Sequence, residues 1–373
     1  MNTASPDQPR TPALVTGATG FTGGALARAM QQRGYAVRAL VRNPIAQSAR
    51  ALAERGIELV EGDITDADAV KRAAEGVELI QHVAAIFRTA GHADQYYHDV
   101  NVKGVEHVIA AARHHGTPRT VHCSTVGVHG HVSTIPADED APYNPGDIYQ
   151  DTKLEGEKVM QQAIAEGLPG VIFRPAGMYG PGDMRFLKVF RGLQKRRFPM
   201  FGSGEVTYQF TYIDDLVDGI ILCGQHPDAL GGLFILCGDG WVSLNHFVQL
   251  VAAAVGGKPP SIHWPLGPLL AAAKVCELAC KPLGIDPPLH VRRCEFYIKA
   301  RAFCNAKAKR VLGFQPRIGM AEGVYRTAQW YHEQGLIGPV VAREAYDDAI
   351  ASLPDETHFA DDAAKPTSAP AAA

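Results

Sequence analysis

The stretch that most narrows the possible folds is ALVTGATGFTGG, residues 13–24. An apolar run ends in glycines at 17, 20 and 23, and residues 22–34 then carry apolar side chains at helical spacing up to Gly34. A strand that turns through glycines straight into a helix gathers backbone N–H groups and the positive end of the helix dipole at one point. The alternation repeats down the chain. Residues 35–41 (YAVRALV), 57–63 (IELVEGD) and 77–85 (VELIQHVAA) read as strands, with helices over 43–56 and 66–76 between them. Residues 94–116 read as one long helix leading into a strand at 119–125 (RTVHCST). This βαβ rhythm predicts an α/β fold, a doubly wound parallel sheet with helices on both faces. Ligands in such sheets gather at the carboxyl ends of the strands.

Gly17, Gly20 and Gly23 form G-x-x-G-x-x-G at such a strand end. Glycines let the backbone approach a pyrophosphate closely; the same triplet could serve a plain tight turn, but its place between strand and helix favours a dinucleotide. An NAD binder usually presents Asp or Glu about 20 residues further on, for the adenosine ribose. Here no acid occurs between Gly17 and Glu54, and Arg42 stands just beyond the second strand. A guanidinium there suits a 2′-phosphate, so NADP (NADPH) is favoured, with NAD as the other choice. Further on, YQDTK (149–153) sets Tyr149 and Lys153 four apart on one helix face, with Asp147 placed to cap the helix start. An ammonium beside a phenol favours the phenolate, whose pKa starts near ~10. By itself the pair is a weak signal, since a solvated polar pair has the same spacing.

The segments TGATGFTGG, GDITD, HVAA, NVKGVEHVI, HCSTVGVHG, YQDTK and RPAGMYGPGD occur here in the order found in extended short-chain dehydrogenases/reductases. The chain resembles that family from about residue 12 to about 338. The resemblance implies a Rossmann-type NAD(P)-binding domain over 12–175. It implies a smaller C-terminal substrate-binding domain over 176–338, with some segments returning to the first. It assigns Tyr149 as the acid–base residue, Lys153 as its partner and a ligand of the nicotinamide ribose, and Thr125 as the third catalytic residue. Asp63 becomes the adenine contact, with Ile64 beside it; Ala84 and Ala85 line the cofactor at a strand end. Phe21 and Thr22 of the glycine loop, Ser124 and Pro175 complete the cofactor wall, and Asn101 matches an active-site helix position acting through backbone or water. A carbonyl held by the Thr125 and Tyr149 hydroxyls can accept hydride from a reduced nicotinamide while Tyr149 delivers the proton; the reverse oxidises an alcohol.

Two branches of that family differ in the substrate domain. Nucleotide-sugar epimerases and dehydratases grip the diphosphate with an Asn after the sixth strand and an Arg further on. This chain has Gly177 and Tyr208 at those places, so with Ser124 these are the candidate substrate residues. RPAGMYGPGD, the apolar stretch 263–289 and the ending KAKRVLGFQPRIGMAEGVYRTAQWY are more similar to the 3β-hydroxysteroid dehydrogenase-like branch. That implies an oxidoreductase interconverting a hydroxyl and a ketone on a partly apolar small molecule. A nucleotide-sugar epimerase/dehydratase is the alternative, and a non-catalytic NAD(P)-binding sensor the second. The filled positions Thr125, Tyr149 and Lys153 weigh against the sensor.

The remaining features carry less. A net charge of −3 with mixed signs lacks the basic footprint of a nucleic-acid binder. The longest apolar run, 265–280, is broken by Pro268 and Lys274 and is too short to span a bilayer. Cys276 and Cys280 within it read as core cysteines, with a zinc site a remote alternative. HGH at 129–131 lacks the carboxylate spacing of a metal site, so no metal is expected. The basic run 191–199 reads as a solvated helix end or an anion receiver. Residues 1–11 lack a signal peptide and read as a disordered lead-in, and 339–373 as a tail, largely structureless at its end. A cytoplasmic protein follows, and the totals leave a homodimer open.

Overall fold

The structure is a computed structural model that describes residues 11–87, 92–116, 119–280, 287, 289, 291–354 and 357–358, without the side chains of 292 and 293. The expectations for 1–10 and for 359–373 lie outside those residues, as does part of the apolar stretch 263–289.

The chain runs β1 (Pro12–Thr16), α1 (Phe21–Gln32), β2 (Ala36–Val41), α2 (Gln47–Ala53), β3 (Glu58–Glu61), α3 (Ala67–Ala73) and β4 (Leu79–His82). Then come α4 (Asp94–His98), a π-turn (Asp99–Lys103), α5 (Gly104–His115), β5 (Arg119–Cys123), α6 (Ile148–Ala165) and β6 (Gly170–Pro175). The second half holds β7 (Gly177–Tyr179), α7 (Leu187–Gln194), β8 (Met200–Phe201), β9 (Thr207–Tyr208), β10 (Phe210–Tyr212), α8 (Ile213–Gln225) and β11 (Leu233–Leu236). It ends with β12 (Val242–Ser243), α9 (Leu244–Ala254), β13 (His263–Trp264), α10 (Leu266–Cys280), α11 (Val291–Cys294), α12 (Ala306–Leu312), α13 (Met320–Glu333) and α14 (Arg343–Ala351).

Seven strands form one parallel sheet in the order β11-β6-β5-β4-β1-β2-β3. Both faces are covered, so inner strands such as β4 and β6 are buried along their whole length rather than on alternate residues, polar side chains included. Ala13 and Val15 join the cluster that holds Leu26, Ala27 and Met30 of α1, while Leu14 between them joins the cluster with Val105, Val108 and Met160 of α5 and α6. Leu26 is fully buried there, and truncating such a leucine costs about 2–5 kcal/mol. The long helix expected over 94–116 is interrupted by the π-turn. Its bulge brings the Asn101 carbonyl so close to α6 that a Cβ on Gly156 would sit 2.2 Å from it. Asn101 then spans the gap: Oδ1 accepts from the Ile86 N–H (3.0 Å) and Nδ2 donates to Thr152 Oγ1 (3.0 Å). The bulge thus ties the loop after β4 to the helix carrying Tyr149.

Beyond β6 the chain forms three small two-stranded sheets, β7 with β10, β9 with β12, and β8 with β13. One apolar cluster runs from the α1 face of the large sheet into α7, α9 and α13. Within 339–354, α14 is regular, and its buried Tyr346 donates from its hydroxyl to the Ala321 carbonyl (2.9 Å). The core assignment of Cys276 and Cys280 is corrected: both are half-buried, and α10 buries Ala273 alone among its residues. Apolar composition promises burial only when a neighbouring element covers the helix, and Val275 and Leu278 keep about two thirds of their surface exposed (66% and 65%). Among the described residues no helix is long and apolar enough to cross a membrane.

Candidate active site

A cleft of about 740 Å³ opens where β1 to β6 end, and it is lined by Gly17, Arg42, Gly62, Ala84 and Ser124, which follow the first five, and by Pro175, which ends β6. Gly17 has φ +73°, in the left-handed region, and a Cβ there would lie 2.8 Å from the Ala84 backbone. A Cβ on Gly23 would lie 2.2 Å from the Gly17 carbonyl. The turn therefore needs these glycines, and it delivers α1 with Gly20 at its N-cap and no side-chain cap on its first N–H groups. Phe21 and Thr22 open the helix and line the cleft, Thr22 donating to Met178 Sδ (3.2 Å). An uncapped helix start behind a glycine-rich turn fits a dinucleotide pyrophosphate.

Arg42 and Asp63 meet at the far end of this wall, with Arg42 Nε 4.0 Å from Asp63 Oδ2 and Nη1 donating to the Tyr96 hydroxyl (3.3 Å). Asp63 Oδ1 is already occupied by the N–H and hydroxyl of Thr65 (2.9 and 2.8 Å). Ile64, Ala84 and Ala85 complete this wall; Thr16 Oγ1 accepts the Ala84 N–H (3.2 Å). Arg42 itself is 72% exposed, open to a ligand phosphate.

Tyr149 and Lys153 project from the first two turns of α6, whose N-cap Asp147 accepts the Gln150 N–H (2.9 Å). Both face the cleft. Lys153 is buried and its Nζ donates to the Cys123 carbonyl at 2.5 Å, which fixes the ammonium beneath the end of β5. Burial holds this ammonium below its usual range, while the Glu157 carboxylate opposes that shift. The Phe87 ring stands edge-on to Tyr149 with centroids 4.9 Å apart. Thr125 Oγ1 accepts the Gly127 N–H (3.0 Å), which leaves its proton to be donated into the cleft. Ser124 behaves differently: its hydroxyl donates inward to Glu157 Oε2 at 2.5 Å. Asn101 is buried and holds backbone, as described above.

The substrate end is aromatic. Phe186, Tyr208, Phe210, Phe296 and Phe303 line it, with Tyr208 stacked on Phe210 (5.4 Å, 12°) and donating to the Phe296 carbonyl (2.5 Å). At Gly177 a Cβ would lie 2.8 Å from the Phe210 ring, so the ring occupies the space a larger side chain would need. The basic run 191–199 does not join this wall. Arg191 donates to the Leu336 carbonyl, and Gln194 of the same helix to Pro339 (2.6 and 3.1 Å). His129 is a packed residue, its Nδ1 against the Pro142 carbonyl (3.1 Å) and its Nε2 against Arg174 (2.9 Å). Phe87, Phe186, Phe296 and Arg301 were not anticipated from the sequence. They arrive from three separate connections, Phe296 and Arg301 sharing the one between α11 and α12, and no local spacing marks them.

A family model described as the NAD dependent epimerase/dehydratase family matches residues 13–237. A 3β-hydroxysteroid dehydrogenase/Δ5→4-isomerase of Mycobacterium tuberculosis is 29% identical, across 85% of this chain and 90% of its own. A 2-alkyl-3-oxoalkanoate reductase of Stenotrophomonas maltophilia is 29% identical, across 84% and 97%. The crystal structure of UDP-glucuronic acid 4-epimerase from Bacillus cereus with UDP-glucuronic acid and NAD has a TM-score of 0.69, covering 87% of this chain and 99% of that one. At 22% identity that likeness is one of fold.

Proposed function

The chain belongs to the NAD dependent epimerase/dehydratase family, and on that premise we propose that it interconverts a hydroxyl and a ketone on a partly apolar substrate. It is an NAD(P)-dependent dehydrogenase/reductase of the extended short-chain type. The observation that carries the substrate assignment is the aromatic wall beside Tyr149, with the Phe210 ring filling the space at Gly177. Two relatives named for steroid and oxoalkanoate chemistry support it.

The glycine loop and the start of α1 would hold the pyrophosphate, and Lys153 and Tyr149 the nicotinamide ribose. A nicotinamide bound there would supply or remove the hydride. Thr125 and Tyr149 hold the substrate oxygen between two hydroxyls. In reduction Tyr149 gives that oxygen its phenolic proton; in oxidation the phenolate takes the proton back. Lys153, fixed by the Cys123 carbonyl, supplies the positive charge that makes the phenolate accessible. Arg42 favours NADP over NAD, because its exposed guanidinium can pair with a 2′-phosphate.

The competing reading is a nucleotide-sugar epimerase, favoured by Arg185 and Arg301, two cations of the cleft away from Arg42 and Lys153. A calorimetric titration with UDP, beside a redox assay on steroid, terpenoid and long-chain β-keto compounds, separates the two. Apolar ketones should change the cofactor's absorbance while UDP binds weakly. Micromolar UDP binding with silence across the apolar panel transfers the case to the epimerase.

A further inference from the structure

The two guanidinium groups at the substrate end are in different states. Arg185 is committed to the protein: Nε and Nη2 donate to the Asp183 carboxylate (2.7 and 3.2 Å), and Nη2 also to the Met178 carbonyl (2.7 Å). The backbone of Arg301 is equally fixed, its N–H donating to the Thr207 carbonyl and its own carbonyl accepting the Gln209 N–H, both at 2.9 Å. Its guanidinium is not. Among the described residues it has one ion pair, to Glu295 Oε2 at 3.8 Å, beyond hydrogen-bond reach, and it stands 5.9 Å from the centroid of the Tyr208 ring. Lys299 holds the other Glu295 oxygen at 2.9 Å, so among the described side chains two cations share this one carboxylate.

Five N–H donors on a guanidinium carried by a fixed backbone, facing an aromatic wall, call for an acceptor from the ligand. The cleft does not provide one. Asp63 is the single carboxylate among the described lining residues, and it lies at the adenosine end beside Arg42. We propose that Arg301 is a specificity-determining residue that receives a carboxylate carried by an otherwise apolar substrate. The substrates are then keto or hydroxy acids with a long or polycyclic hydrocarbon body. The assignment rests on the oxidoreductase reading above. A nucleotide diphosphate fits less well, because Gly177 and Tyr208 add no charged donor beside Arg301 and Arg185 is already spent.

The test uses the whole protein saturated with NADP⁺ and two probes of equal length, decanoate and decan-1-ol, followed by calorimetry. Decanoate should bind about tenfold or more tightly than decan-1-ol in the wild type, and the preference should vanish in Arg301→Gln. Arg301→Lys should keep part of it. Equal binding of the two probes by the wild type overturns the proposal, and that arm needs no variant. A preference that survives Arg301→Gln overturns it too, provided NADP⁺ titration shows the variant folded. UDP displacing decanoate at micromolar concentration would assign the cation to a diphosphate and overturn the proposal. Turnover of neutral ketones without any decanoate preference removes the acid assignment and leaves the oxidoreductase reading intact. Silence toward every ketone removes that reading, and the substrate assignment falls with it.

Discussion

Arg174 and Glu157 form a wholly buried ion pair, Nη2 donating to Oε1 at 2.6 Å and Nε to Oε2 at 2.9 Å. Ser124 donates to the same carboxylate from the end of β5, and Arg174 Nη2 also reaches the Tyr143 hydroxyl (2.9 Å). Glu157 lies one turn beyond Lys153, so the pair locks α6 against the ends of β5 and β6. Removing one partner leaves a buried charge. Glu157→Leu should cost about 3–5 kcal/mol in urea unfolding, and adding Arg174→Met should recover most of that loss. A single-variant loss under about 1 kcal/mol would match a solvated pair and contradict the burial.

Gly17→Ala tests the glycine turn. Alanine at φ +73° costs about 1–2 kcal/mol, and its Cβ would press on the Ala84 backbone. Cofactor affinity should fall about tenfold or more in a fluorescence titration while the circular dichroism stays that of a folded chain. Unchanged affinity would remove this turn from the cofactor site.

Arg42→Asp should reverse the cofactor preference. The wild type should bind NADPH more tightly than NADH; the variant places a carboxylate where a 2′-phosphate would sit, beside Asp63. Parallel titrations of both cofactors decide it. A wild type that prefers NADH contradicts the role given to Arg42.

The stacked rings of His82 and His122, centroids 5.2 Å apart, lie buried between the sheet and α6. Burial, reinforced by Lys153, pushes His82 down to about 3 and His122 well below its usual value. The unfolded chain binds a proton at each ring below about pH 6.5, and the folded chain does not. Stability is therefore full above that pH and declines as pH falls toward 3, by about 1.4 kcal/mol per pH unit for each ring. Urea unfolding at pH 7, 6 and 5 should show this limb, and His122→Leu should flatten it by one ring's share. An unchanged slope would place the proton uptake elsewhere.

The parts of the site visible in the sequence are those set by consecutive residues. A strand, a glycine turn and a helix bring Gly17, Gly20 and Gly23 together, and helical spacing alone puts Tyr149 and Lys153 on one face. Thr125 joins them because a parallel strand and the following helix end and begin at the same edge. The substrate wall has no such marker. Phe296 and Arg301 reach the cleft because Arg301 and Phe303 are stitched to Thr207 and Gln209, a pairing across more than ninety positions that no periodicity announces. The π-turn at Asn101 needs one extra residue per turn, which leaves amphipathic composition unchanged. On α10, composition pointed to burial, but exposure is decided by what packs alongside.

Tyr149 is proposed to move the proton in a carbonyl–alcohol interconversion. Tyr149→Phe removes one oxygen from a ring that packs against Phe87, so folding and cofactor binding should persist. The direct measurement is oxidation of reduced nicotinamide with an apolar ketone, wild type beside Tyr149→Phe, each with its cofactor dissociation constant determined. Turnover should fall about 10²–10⁴-fold with the cofactor constant nearly unchanged. Turnover by Tyr149→Phe close to that of the wild type would contradict that role.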